Sequence, residues 1–397
     1  MEGEKKGNGL TLFIVLILGI IMGACGVIAY NELFKEEEPT SKEDVVDKEE
    51  NTNQQEVINN QEETTTKEET TTTKEETTTK EDTKKENTTT TKISDGNNCK
   101  FNGKLTNNVE DTNGQYLYTY RKGYDGWSVV LKDKKSTKDV TSKLCKTIND
   151  KPIVDMQGMF ADSQATKIDL SSFDTSNVIN MSYMFQDSKV KSLDLSKFNT
   201  SKVGTMQAMF ARVSLDSLNL TGFNTENVYT MKDMFYKSSI KTLNLSNLSN
   251  TRVIDMGNMF LGLTVTKLNL NNFGTAKVID MQSMFQETKT NSLDLSSFDT
   301  SNVTNMHAMF QDGTAESIIF GNKFSTPKVQ TMQGMFARVK VKTLDLSGFT
   351  FENALNKKDM FHRADTTTVY LKTKDYVDQL NATNNLSKPS TLTFIVK

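Results

Sequence analysis

The sequence predicts an α/β repeat fold: a leucine-rich-repeat-like solenoid with a parallel β-sheet, 25-residue repeats and a cap at each end, after a transmembrane helix and a disordered linker. Three observations predict it. The pair Met-Phe stands at 159–160, 184–185, 209–210, 234–235, 259–260, 284–285, 309–310, 335–336 and 360–361, stepping by 25 residues with a single step of 26. Fixed periods of roughly 20–50 residues mark stacked repeat architectures. Within each period, alternating Leu-x-Leu (Leu193, Leu195) gives way to the spacing Val203, Met206, Met209, Phe210. The first is a strand signal; the second puts four apolar side chains on one side of a short helix or 3₁₀ turn. Finally, composition is segregated into an uncharged apolar run, a Thr/Lys/Glu tract and a repetitive remainder.

The elements follow in chain order. Residues 1–9 are polar and read as a cytoplasmic N-terminus. Residues 10–30 form an uncharged, nearly all-apolar run of 21 residues, and a bilayer-crossing helix needs about 20. Lys5 and Lys6 precede the run and Glu36, Glu37 and Glu38 follow it, which orients everything after Tyr30 to the outside. Two readings compete: a lipoprotein signal with lipidation at Cys25, in Met22-Gly23-Ala24-Cys25, and a cleaved signal peptide. All three export the remainder, and the retained anchor makes the membrane a partner. Residues 31–96, rich in Thr, Lys, Glu and Asn, hold too little apolar surface to offset their ordering entropy and read as a disordered stalk.

Residues 97–141 read as an N-terminal cap, with strands at Gln115–Arg121 and Trp127–Lys132 around a hairpin turn. Cys145 falls in register with the inward Leu170 and Leu195. Outside the cell it can pair with Cys99; otherwise both are buried thiols. Residues 142–367 are the solenoid, each unit being strand, turn, short helix, turn. Segments such as Asn224-Thr225-Glu226 and Asp299-Thr300-Ser301 supply turn and N-cap oxygens. Seventeen of the 19 Met lie in the repeat columns, where an unbranched thioether fills irregular gaps. A thioether copper site is disfavoured because these Met share one face with Phe and Val. Residues 368–397 read as a C-terminal cap, with strands at Val369–Leu371 and Thr391–Val396 around a short helix.

Chemistry is sparse. The formal net charge is −3, and residues 142–367 hold 24 Lys+Arg against 21 Asp+Glu, so no basic stripe argues for nucleic acid. His307 and His362 have no repeated partners, and there is no zinc spacing, phosphate loop or nucleophile elbow. No enzyme, metal or cofactor is therefore expected. The remaining candidates are the polar column at the third strand position: Asp169, Asp194, Asn219, Asn244, Asn269, Asp294 and Asp345. Adjacent members stand about 4.8 Å apart. Carboxylate pairs near 5 Å serve retaining glycosidases, but this column is mostly Asn or lone Asp on an open face. It reads either as a solvated ladder or as a strip that contacts an extracellular protein or glycan.

The stretch LDLSSFDTSNVTNMHAMF at 293–310, recurring at 25 residues over 142–367, closely resembles the BspA-like leucine-rich repeat surface proteins of bacteria. The resemblance implies an exported protein, often implicated in adhesion, and brings no catalytic residues. Departures gather near the end: Ile318-Ile319-Phe320 replaces the usual strand, one residue is inserted before Phe324, and Lys357 stands where Met is expected. The functional expectation is a membrane-anchored surface module for adhesion or recognition. The alternative is a structural spacer or coat protein that binds nothing.

Overall fold

A computed structural model describes residues 93, 97–103 and 108–397, all within the compact unit Thr83–Lys397. The segment 1–9, the apolar run 10–30, Cys25 and nearly all of 31–96 lie outside the described residues. No described helix is long and apolar enough to cross a membrane.

The described chain begins in a six-stranded sheet. Strands β1 (Asn98–Cys99), β2 (Val109–Glu110), β3 (Tyr116–Arg121), β4 (Gly126–Leu131), β5 (Thr147–Ile148) and β6 (Lys151–Asp155) lie in the order β1-β5-β6-β4-β3-β2. β3 and β4 pair as an antiparallel hairpin through the 3₁₀ turn Lys122–Tyr124, with Asp125 in the left-handed region at φ 47°. The inward Tyr116, Tyr118 and Trp127 are fully buried, and Trp127 Nε1 donates to the Ile148 carbonyl at 3.1 Å. A disulfide joins Cys99 to Cys145, with Cα atoms 5.9 Å apart. β4 runs parallel to β6, and the Leu131 N–H donates to the Met159 carbonyl at 2.9 Å. The hairpin is thereby bonded to the first repeat.

From β6 onward the chain is a mostly parallel β-solenoid with 25-residue coils. Strands β7 (Ser214–Asn219), β8 (Ser239–Asn244) and β9 (Lys267–Asn269) pair in register, Leu218 opposite Leu243 opposite Leu268. β10 (Ser292–Leu295) pairs with β11 (Ser317–Phe320), and β12 (Thr343–Asp345) with β13 (Thr368–Leu371). A second parallel column runs through Asp155, Asn180, Thr205, Thr230, Asp255, Asp280, Asn305, Thr331 and Asn356. After β13 come the helix α1 (Lys374–Ala382), N-capped by the Thr373 hydroxyl, and β14 (Thr393–Val396), parallel to β13.

The Met-Phe arc is not a helix, which corrects the α/β unit the sequence predicts. Met231, Asp233, Phe235 and Lys237 donate their N–H groups to the next coil, at Asp255, Gly257, Met259 and Leu261, at 2.7–3.0 Å. The residues between them close local turns: Met234 to Met231, Tyr236 to Asp233 and Ser238 to Phe235. Such turns need positive φ once per four residues, and Asp233 (59°) and Lys237 (51°) supply it. The same two columns are left-handed in every coil; Gly158, Asp233, Asn258, Gly334 and Asp359 share the first with Tyr183, Ala208, Ser283 and Ala308, and Asp162, Asp187, Gly262 and Asp312 share the second with Arg212, Lys237, Glu287, Arg338 and Arg363. Gly, Asn and Asp tolerate that region best. A helix would satisfy its donors internally and leave none to bond the neighbouring coil; a segment this short is also marginal as a helix.

The core runs through the stack without interruption. Every repeat Met from Met156 to Met360 is buried at 0% exposure. Phe160, Phe185, Phe210, Phe235, Phe260, Phe285, Phe310, Phe336 and Phe361 form one column with centroids 5.2–5.8 Å apart. Offset ring pairs of this kind add about 0.5–1.5 kcal/mol each beyond burial. At the opposite corner a buried Thr column ties coils together. Thr275 Oγ1 donates to the Asp299 carbonyl at 2.9 Å and accepts the Asp299 N–H at 2.8 Å. One coil departs: Leu248 and Asn250 replace Phe and Thr. Asn250 sits at φ 47°, and its buried amide has no partner among the described residues. The next coil compensates with Gly274, where a Cβ would lie 1.9 Å from the Ser249 oxygen.

Candidate functional site

The structure places Asp169, Asp194, Asn219, Asn244, Asn269, Asp294 and Asp345 in one column, one per coil, along the strand face. Asp169, Asp194, Asn219 and Asp294 are exposed, and the other three are half-buried. Each has a structural duty that the sequence pattern did not reveal. In all seven, Oδ1 accepts the backbone N–H two residues on, from Ser171, Ser196, Thr221, Ser246, Asn271, Ser296 and Ser347, at 2.9–3.2 Å. These are Asx turns, which bend the chain as it leaves the strand. An Asx turn needs an oxygen, not a charge, which explains why Asp and Asn alternate freely. Where Ile319 interrupts the column, the bend falls to Gly321, whose Cβ would lie 2.1 Å from the Ser296 oxygen.

The same bonds fix the electrostatics. The hydroxyl and N–H of Ser171 hold the Asp169 carboxyl below its ordinary range, and those of Ser196 do so for Asp194. At Asp345, partial burial pulls upward but is outweighed by Lys397, whose ammonium lies 2.5 Å away, together with the hydroxyl and N–H of Ser347. Carboxyls held ionised are poor general acids. A pocket lined by Gly114, Gln115, Leu131, Asp133, Ser136, Lys138 and Val140 holds about 220 Å³, below the roughly 300–1,000 Å³ of a typical small-ligand site. No group of three or more His, Cys, Asp or Glu among the described residues could hold a metal. Apart from Asp345, whose Oδ2 meets Lys397, these side chains have a second oxygen or amide with which to make polar contacts.

A second face carries features that sequence reasoning missed. The residue after each buried Val lies outside, and in three consecutive coils it is Tyr229, Ile254 and Ile279, at 38%, 41% and 46% exposure. Two residues earlier the same face presents Asn177, Lys202, Asn227, Arg252, Lys277, Asn302 and Lys328. Lys202, Arg252 and Lys328 donate to the Oδ1 of Asn177, Asn227 and Asn302 in the preceding coil, at 2.7, 3.2 and 2.6 Å. The Asn227 and Asn302 amides in turn donate to the Ser201 and Ala276 carbonyls. The cations are 50, 25 and 51 residues apart, so they form no local cluster in the sequence, and only stacking aligns them.

A family profile described as "Mycoplasma protein of unknown function, DUF285" matches residues 132–249 and 254–376, more than half of the chain. No curated protein and no solved structure matches it.

Proposed function

The chain belongs to the DUF285 family of Mycoplasma proteins of unknown function, and from that premise we propose that it is a non-enzymatic, membrane-anchored surface protein of the BspA-like leucine-rich repeat kind. Its repeats present a recognition or adhesion face to an extracellular protein or glycan. The apolar run 10–30 supplies the anchor, and residues 31–96 the stalk. The segments 97–141 and 368–397 cap the two ends. The disulfide supports export, because such bonds persist outside the reducing cytosol.

One observation carries the recognition reading: the strand face keeps apolar residues at its inward positions, Leu in most coils, while its outward positions are polar and free of the core. Ser192, Ser217, Thr242, Lys267 and Ser292 are all exposed on this face and belong to neither core nor Asx turn. Changing Ser192, Ser217, Thr242 and Ser292 together to Lys in the full chain tests it. Adhesion of cells displaying the protein should fall while thermal unfolding stays within a few degrees. The Asx turns favour a second reading, a structural spacer, since they account for the Asp/Asn column without any ligand. That reading wins if the full chain binds no member of a glycan and matrix-protein panel and the four-Lys variant adheres like the parent.

A further inference from the structure

The second face holds its cations differently from the paired basic residues elsewhere on the repeats. On the left-handed column, Arg212 and Arg338 are neutralised by two-point bonds to Asp187 and Asp312, at 2.5–2.7 Å. On the strand side Lys241 meets Asp216 at 2.5 Å. Lys202, Arg252, Lys277 and Lys328 have no carboxylate within ion-pair distance among the described residues. Three of them are instead held by an Asn oxygen. An Asn fixes where the cation points without cancelling its charge, whereas an Asp in its place would do both. The result is a row of four positive charges, three of them oriented, at two-coil, one-coil and two-coil intervals, about 10, 5 and 10 Å.

Beside this row, one buried Val away, run Tyr229, Ile254 and Ile279. Tyr229 leans back over Gly204, whose absent side chain leaves room for it; a Cβ there would stand 3.2 Å from the ring. The face thus joins a narrow apolar strip to a line of charge, repeated along the solenoid axis. Its natural complement is linear, repeats at a similar pitch, and carries anions along one edge and apolar C–H faces along the other.

We propose that this face binds a linear anionic polysaccharide laid along the solenoid axis. Lys202, Arg252, Lys277 and Lys328 contact its sulfate or carboxylate groups, and Tyr229, Ile254 and Ile279 pack against the sugar rings. The proposal shares with the recognition reading only the premise that the repeats meet an external ligand; it uses a different face.

The test is binding of the full chain to fluorescently labelled heparin across a salt series. Changing the four cations together to Gln should weaken binding at least tenfold. The log–log salt dependence should flatten by roughly three to four, one released counterion per lost contact. Changing Tyr229, Ile254 and Ile279 to Ser should weaken binding several-fold without altering that slope. A control with Lys167, Lys191 and Lys289 on the strand side, all exposed, changed to Gln should leave both quantities nearly unchanged, and all three variants should keep the parent's unfolding midpoint. The proposal is overturned if the parent does not bind heparin, if the four-Gln variant binds like the parent, or if the strand-side control loses binding equally. Retention on phosphatidylglycerol vesicles or polyglutamate, with none on heparin, overturns it in favour of a lipid or acidic-protein partner. Loss of heparin binding with intact cell adhesion would leave the strand-face reading standing.

Discussion

At the scale of single residues, the fold is set by oxygens placed two positions before a bend. The column Asp155 to Asn356 repeats on a second wall what the strand column does on the first. Asp155, Asn180, Asp255, Asp280, Asn305 and Asn356 accept the N–H two residues on at 2.8–3.1 Å, and Thr205, Thr230 and Thr331 do so at 3.2–3.4 Å. On the strand column, Asn244→Ala should therefore cost about 1 kcal/mol, while Asn244→Asp should be nearly neutral. Chemical denaturation of the two variants checks this, and equal costs would refute a purely oxygen-based role. Asp255 is a place where the charge itself is a burden. Burial, with Asp280 and Asp233 nearby, raises its pKa, against the pull of the Gly257 N–H and Lys232. An acid whose folded pKa is raised destabilises the fold above that pKa, and the cost vanishes below the unfolded value of about 4. Asp255→Asn keeps the turn oxygen and removes the charge, as Asn180 and Asn305 already do. It should raise the unfolding midpoint at pH 8 and give no gain at pH 3; a gain unchanged at pH 3 would refute the electrostatic cause. The apolar columns were legible because period and burial go together. These turn oxygens were visible as letters but not as bonds, since an Asx turn and an outward polar residue read alike.

At the scale of elements, the Met-Phe spacing misled in an instructive way. Intervals of three and seven residues place Val203, Met206 and Phe210 on one face both in a helix and in linked turns with a left-handed residue every fourth position. The discriminating signal lay in the intervening columns, where Gly158, Asn258 and Gly334 recur at one position and Asp162, Asp187 and Gly262 at another, but Tyr183, Ala208, Arg212 and Arg338 stand in the same columns and dilute it. The N-terminal sheet was easier to read because Tyr116, Tyr118 and Trp127 alternate. Its stability should depend on the disulfide, which closes a separation of 46 residues, worth about 4 kcal/mol by chain entropy. Trp127 is the only Trp, is fully buried, and lies 6.3 Å from Phe101, two residues from Cys99. Reduction should lower the midpoint of the Trp emission red shift in denaturant well below that of the far-UV signal, which reports the repeats. Coincident midpoints under reducing conditions would mean that the sheet and the solenoid unfold as one.

At the scale of the molecule, the question is how far a defect in one coil travels. Each coil is bonded only to its neighbours, so stability should be close to a sum of coil and interface contributions. The Phe column is the most sensitive place to ask. Phe260 is buried at 0% exposure and stacks 5.7 Å from Phe235 and 5.2 Å from Phe285. Phe260→Ala removes both ring contacts and opens a cavity that rigid walls cannot close, costing about 3–5 kcal/mol. Native-state hydrogen exchange reads where that loss falls. The Phe235 N–H, bonded to the Met259 carbonyl, and the Phe260 N–H, bonded to Met284, should lose at least about 100-fold protection, since about 1.4 kcal/mol is one decade. The Phe160 N–H, bonded to Met184, and the Phe336 N–H, bonded to Met360, lie three coils or more away and should change by less than about threefold, because their own neighbours are intact. A uniform loss at all four amides would show that the stack opens as one cooperative unit, and the nearest-neighbour account of this solenoid would fail.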